Sequence, residues 1–247
     1  DWSGARAWAN FKRAQAADGE KLEAADFIPP PVPNDENLAM TPLLRPMLDY
    51  VHTTNGIQWR DTNAYQHLTS IRIELGPPGV TPPKITDSES GSPVDLKAFA
   101  EFYRGNTNYP QSAHPGNAGE DVLTALNKFE PDLKELREAA AARPFSRFPI
   151  EYDYKPPGAI LLPHLAFIKG LAMVCDLRAI AELETHRSDT ALADLKLGFR
   201  LSASIRDEPF LIDHLVRNAT LNLLLNGIRE GLIRHAWSDA QLMELET

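Results

Sequence analysis

The pattern with the most chemical content is a row of polar side chains: His214, Asn218, Asn222 and Asn226, spaced four apart, with Glu230 next in the row. On a helix, residues at that spacing shift by about 40° per step, so the row winds slowly across the surface. Asparagine is a poor helix former, and a solvated face is better served by Glu or Lys. Each carboxamide, however, offers both donors and an acceptor. The row can bond to another segment of the chain as an internal seam, line a groove for an extended peptide, or form an ordinary exposed face. The seam is the favoured expectation, with Asn218 and Asn222 buried and bonded. His214, Asn218, Asn222 and Asn226 are the candidate binding residues.

The other chemistry-bearing residues are dispersed. The seven histidines, at 52, 67, 114, 164, 186, 214 and 235, show no HExxH or other metal-ligand spacing. His164 and His214 fall on different predicted helices and can converge with Asp176 or Asp213, the one arrangement in which two imidazoles and a carboxylate would meet. The single cysteine, Cys175, lies in the apolar run Gly170 to Cys175 and reads as a buried, inert thiol. There is no CxxC, no GxSxG and no phosphate loop. In Gly76-Pro77-Pro78-Gly79 the prolines remove the amide donors that a phosphate cradle needs, so it reads as a turn. Paired acids such as Asp35/Glu36 and Asp207/Glu208 suit helix N-termini. No catalytic residue, metal site or cofactor is assigned.

The elements that must position these residues divide near residue 158. Of 20 prolines, all but Pro163 and Pro209 lie at or before Pro157. In the first part a helix is predicted over 2–18, stopping at Gly19. Phe27 to Pro33 is a polyproline strap anchored by Phe27, Ile28 and Val32. Asn34 to Asn37 forms a turn and cap before a helix over 38–52, with Leu44, Met47, Leu48 and Val51 on one side. Residues 70–75 alternate strictly and read as a short strand or an extended edge segment. A loop follows over 76–93, then a helix started by Ser92-Pro93, helices over 119–129 and from Pro131 to 142, and an extended aromatic connector over 143–157. The second part reads as long helices: Ala159 to Glu184, apolar on nearly all sides and therefore central; Asp189 to Ile205; Pro209 to Ile233; and a fourth capped by Ser238. The expected fold is all-α: a stack of long antiparallel helical hairpins, with 1–158 packed on 159–247 as one domain.

Two features bear on relationship. Ser188-Asp189-Thr190-Ala191-Leu192 and Ser238-Asp239-Ala240-Gln241-Leu242 share an SDxxL pattern, either by chance or as a divergent helical repeat. The runs Leu177 to Leu183, Ala191 to Leu195 and Glu208 to Arg217, with Phe27 to Pro42 and Trp237-Ser238, resemble a family of uncharacterised bacterial proteins similar to tetratricopeptide helical proteins. That resemblance implies an N-terminal hydrophobic anchor and a cell-envelope location, exported, periplasmic or membrane-anchored; the alternative is a cytoplasmic location. It implies no activity and no site residues. The chain departs from a tetratricopeptide array in its longer spacing and its lack of tandem copies.

Bulk properties narrow the function classes. The 247 residues are 43% hydrophobic and 24% charged, with a net charge of -9, which is ordinary for a globular chain. That charge, with no Lys/Arg cluster, argues against nucleic acid and anionic lipid as partners. No apolar run approaches a membrane span, so a membrane link would need a segment outside this chain. The chain starts at Asp1 without Met and stops within a predicted helix at Thr247, and both ends read as cut. The expected function is a non-enzymatic, protein-binding or scaffold module of the envelope. The alternative is a hydrolase-like enzyme with a dispersed site near His164 and His214.

Overall fold

The computed structural model describes residues 2–76, 79–85, 93–114, 116–154 and 156–246, and it is mainly helical. The helices are α1 (Trp2–Ala17), α2 (Thr62–Ser70), α3 (Leu96–Tyr103), α4 (Ala118–Leu126), α5 (Glu130–Ala142), α6 (Pro163–Glu184), α7 (Ser188–Ala203), α8 (Leu211–Ile233) and α9 (Asp239–Leu245). Two strands, β1 (Tyr50–Thr53) and β2 (Gly56–Trp59), pair as an antiparallel hairpin.

Helix α6 is apolar on nearly every side and accordingly lies at the centre, packed by α4, α7 and α8. From Leu171 to Leu183 every residue except Met173 is buried, Cys175 included, and burial pushes the Cys175 thiol up. Pro163 starts α6, where a missing amide hydrogen costs nothing. The turns that end α6 and α8 place His186 and His235 in the left-handed region, at φ 60 and 49, the usual slot after a helix end. Each is followed shortly by a copy of the SDxxL pattern, and the two copies meet. Gln241 Nε2 donates to Ser188 Oγ at 3.1 Å and to Asp189 Oδ1 at 2.7 Å.

The first part differs from expectation in two places. The helix predicted over 38–52 is absent. In its place are two 3₁₀ turns, Leu38–Met40 and Arg45–Met47, and then β1. Pro42 and Pro46 lack the amide hydrogens that a continuous helix requires. Leu44, Met47 and Leu48 are nevertheless buried as expected. The strand over 70–75 is also absent: α2 runs through Ser70, and beyond it the chain passes through a bend at Arg72 and a turn at Ile73 and Glu74 rather than an extended edge segment. Its alternation is real, with Ile71 and Ile73 buried. Side chains, not a neighbouring strand, satisfy its backbone. Tyr109 Oη donates to Arg72 O at 2.7 Å, Tyr103 Oη to Ile73 O at 3.1 Å and Asn106 Nδ2 to Leu75 O at 2.7 Å. Helix α3 begins at Leu96, where the Asp95 carboxylate accepts from Ala98 N at 3.0 Å. Ser92 lies outside the described residues, as do Pro77 and Pro78.

The strap and connector clamp each other. Asn37 Nδ2 donates to Arg147 O at 2.8 Å, Arg147 N returns a bond to Asn37 Oδ1 at 2.9 Å, and Leu38 N donates to Phe145 O at 2.9 Å. Of the expected strap anchors, Ile28 and Val32 are half-buried, but Phe27 is exposed. Helix α1 adds nothing to the core: Trp8 and Phe11 stack on each other, 5.5 Å between centroids, in solvent.

One group of charges is buried among α5, α6 and α7. Arg178 Nε donates to Asp194 Oδ2 at 2.8 Å and its Nη2 to Glu130 Oε2 at 2.7 Å, while Glu182 stands 3.7 Å away. Arg137 pairs with both Glu130 and Asp194. Burial, then the neighbouring Asp194, push the Glu182 carboxyl from its ordinary 4.5 up to about 8. With that proton in place, two guanidinium groups face two carboxylates. The folded chain keeps a proton that the unfolded chain has released, so this group's stabilisation is full below pH 4.5 and lost as pH rises toward 8. Glu182→Gln is expected to be close to neutral at about pH 5 and more stable than the parent, on the order of 2 kcal/mol, above about pH 8. Urea denaturation at both pH values reads this, and equal differences at the two would contradict it.

Candidate binding site

The polar row on α8 is placed by the helix's packing face. Asp213, Thr220, Leu223, Leu224, Gly227, Glu230 and Gly231 are buried. Because the row winds, it starts in solvent and ends in the core. His214, Asn218 and Asn222 are exposed, Asn226 is half-buried and Glu230 is 1% exposed. The seam expected of Asn218 and Asn222 is therefore not formed. Among the described residues only the last member makes such a bond: Val94 N donates to Glu230 Oε1 at 3.2 Å.

Asn222 and Asn226 instead line a cavity of about 500 Å³ beside α6, together with Glu74, Lys84, Lys169 and Met173. A second cavity of about 300 Å³, lined by Leu68, Ile71, Arg72 and Phe167, shares Glu74, Lys169 and Met173 with the first. The two form one trough across α6. Ala166, Lys169, Gly170 and Met173, spaced three and four apart, are the stripe of α6 left uncovered at this face. The floor is apolar, with Ile71, Ile85, Leu223 and the adaptable thioether of Met173, and the rim carries amides and charges. Among the described residues lining it there is no His, Cys or Ser.

Asn222 and Asn226 line the trough, whereas His214 and Asn218 do not; a groove edge is one of the readings of the row, behind the seam. Lys169 and Met173 were missed; a lysine within the apolar run from Leu165 to Cys175 is a readable signal. Arg72, Glu74 and Lys84 had none, because the chain brings them to α6 from an irregular segment.

The histidines are separated. His164 is completely buried and pairs with Glu208 at 2.9 Å under the ring of Phe148, whose centroid is 4.6 Å away. Asp213 lies within electrostatic reach of both His164 and His214. Burial, then the charge of Glu208, push its carboxyl up to about 6, while it accepts from Phe210 N at 3.0 Å. Asp176 is elsewhere, accepting from Gly227 N at 3.1 Å. His214 stands in solvent, so the two imidazoles do not face a common opening. His52 and His67 pair with Glu151 and Asp132 at the surface. Among the described residues no group of three or more His, Cys, Asp or Glu is arranged to hold a metal ion, and no helix is long and apolar enough to cross a membrane.

Comparison of the chain with known protein families, with curated proteins and with solved structures finds no match.

Proposed function

We propose that this chain is a non-catalytic binding module whose trough across α6 takes an extended segment of a partner protein. The observation that carries this reading is the pair Asn222 and Asn226 on the edge of an apolar-floored trough. Side chains one helical turn apart are separated by about 6 Å along the axis. An extended chain repeats every two residues, at about 6.6 Å. Two carboxamides at that spacing can each bond to the backbone of successive same-side residues of an extended segment, and Met173 and Leu223 offer apolar surface to its side chains. The envelope setting implied by the sequence resemblance belongs to this proposal, with the sequence as its support; fractionation of the source cell tests it.

The site is tested by selecting peptides from a random displayed library on the full chain and on Ala219→Trp. Ala219 is exposed on α8 and lines the trough, so a tryptophan there fills the space without entering the core. Selected peptides are expected to bind the parent and lose binding to Ala219→Trp. Asn222→Ala is expected to weaken them roughly tenfold, as for one or two lost hydrogen bonds. Its folding stability should change by less than about 0.5 kcal/mol, since an exposed Asn gives way to a better helix former. Peptides that bind all three proteins equally would place the binding elsewhere.

A further inference from the structure

We infer that the segment this trough accepts is acidic: extended, with carboxylates at its polar positions and apolar side chains between them. The inference rests on the peptide-binding reading and adds the partner's chemistry. The chain as a whole carries a net charge of -9. Among the described residues lining the trough the balance reverses, for Arg72, Lys84 and Lys169 stand against the carboxylate of Glu74. All three cations are exposed, and none makes an ion pair among the described residues.

Elsewhere several arginines are committed to the fold. Arg178 and Arg137 neutralise buried acids. Arg143, Arg147 and Arg200 hold strap and connector carbonyls. Lys169 is the more telling of the lysines, because it is an exposed cation on the most deeply buried helix and projects where the two cavities join. A basic patch on an acidic surface steers an acidic segment to one place and repels it from the remainder. Asn222 and Asn226 bond to a peptide backbone whatever its sequence, so they cannot select; the charges can. Exposed cations of this kind contribute more to selectivity and capture than to tightness, and their contribution falls with added salt.

The test reads the charge of the peptides that a library without charge bias yields on the full chain. The expected result is enrichment in Asp and Glu, with affinities that fall about tenfold between low and high salt. On a Lys84→Glu/Lys169→Glu variant, whose substitutions are exposed and whose folding is checked by thermal denaturation, the same acidic peptides should weaken at least about tenfold and the selection should shift toward Lys and Arg. Enrichment of neutral or basic peptides whose binding is lost on Ala219→Trp would overturn the acidic preference and leave the peptide site standing. Failure to enrich any peptide dependent on the trough would overturn both.

Discussion

Replacing Arg178 by Met is expected to cost about 3–5 kcal/mol of folding stability, the range for breaking a buried ion pair by removing one partner. The guanidinium is 6% exposed and touches Asp194, Glu130, Asn127 and Glu182, drawing together α5, α6, α7 and the turn before α5. Met matches its stem, so packing is largely kept and the loss reports the uncompensated acids. Asp194 is 2% exposed and would retain only Arg137. Chemical denaturation measures the loss, and a double-mutant cycle with Asp194→Leu isolates the pair. The double variant should be less destabilised than the sum of the two single changes, because it leaves no orphaned charge. A loss under about 1 kcal/mol for Arg178→Met would mean that this network is hydrated and peripheral.

Leu171→Ala is expected to destabilise by about 2–5 kcal/mol. Leu171 is 1% exposed, in the middle of a helix surrounded by α4, α7 and α8. Truncation there removes apolar contacts and leaves a void that packed neighbours on several sides cannot collapse to fill. Leu211→Ala serves as the control. That side chain is 74% exposed at the start of α8, and its loss should change stability by about 0.5 kcal/mol or less. Similar losses for the two variants in urea would remove α6 from the centre of the fold.

The sequence by itself determined which residues are inside wherever the pattern is local. The all-round apolar α6, the buried Cys175 and the long helices after Pro157 all follow from helical periodicity and proline placement. The alternation at residues 70–75 is matched by burial of Ile71 and Ile73, although the strand read from it did not form. Only the tertiary structure decided what each backbone bonds to. That segment bends and turns after α2, and its partners are tyrosine hydroxyls and an asparagine from residues 103–109, brought in from about thirty positions away. Apolar spacing tells the face and not the hydrogen-bond partner, so 38–52 was predicted as a helix when its prolines and the Asn55-Gly56 turn favour short 3₁₀ pieces and a hairpin. The same limit governs the candidate site. The winding of the α8 row was computable from its spacing. Where along that winding solvent gives way to core depends on which face α8 lays against α6 and α7. Packing buried Glu230, left Asn218 in water, and set Asn222 and Asn226 at the edge of a trough whose other wall, Glu74 and Lys84, lies more than a hundred residues earlier in the chain. Side-chain chemistry is carried by the residues themselves, but their convergence is a property of long-range packing, which no local pattern encodes.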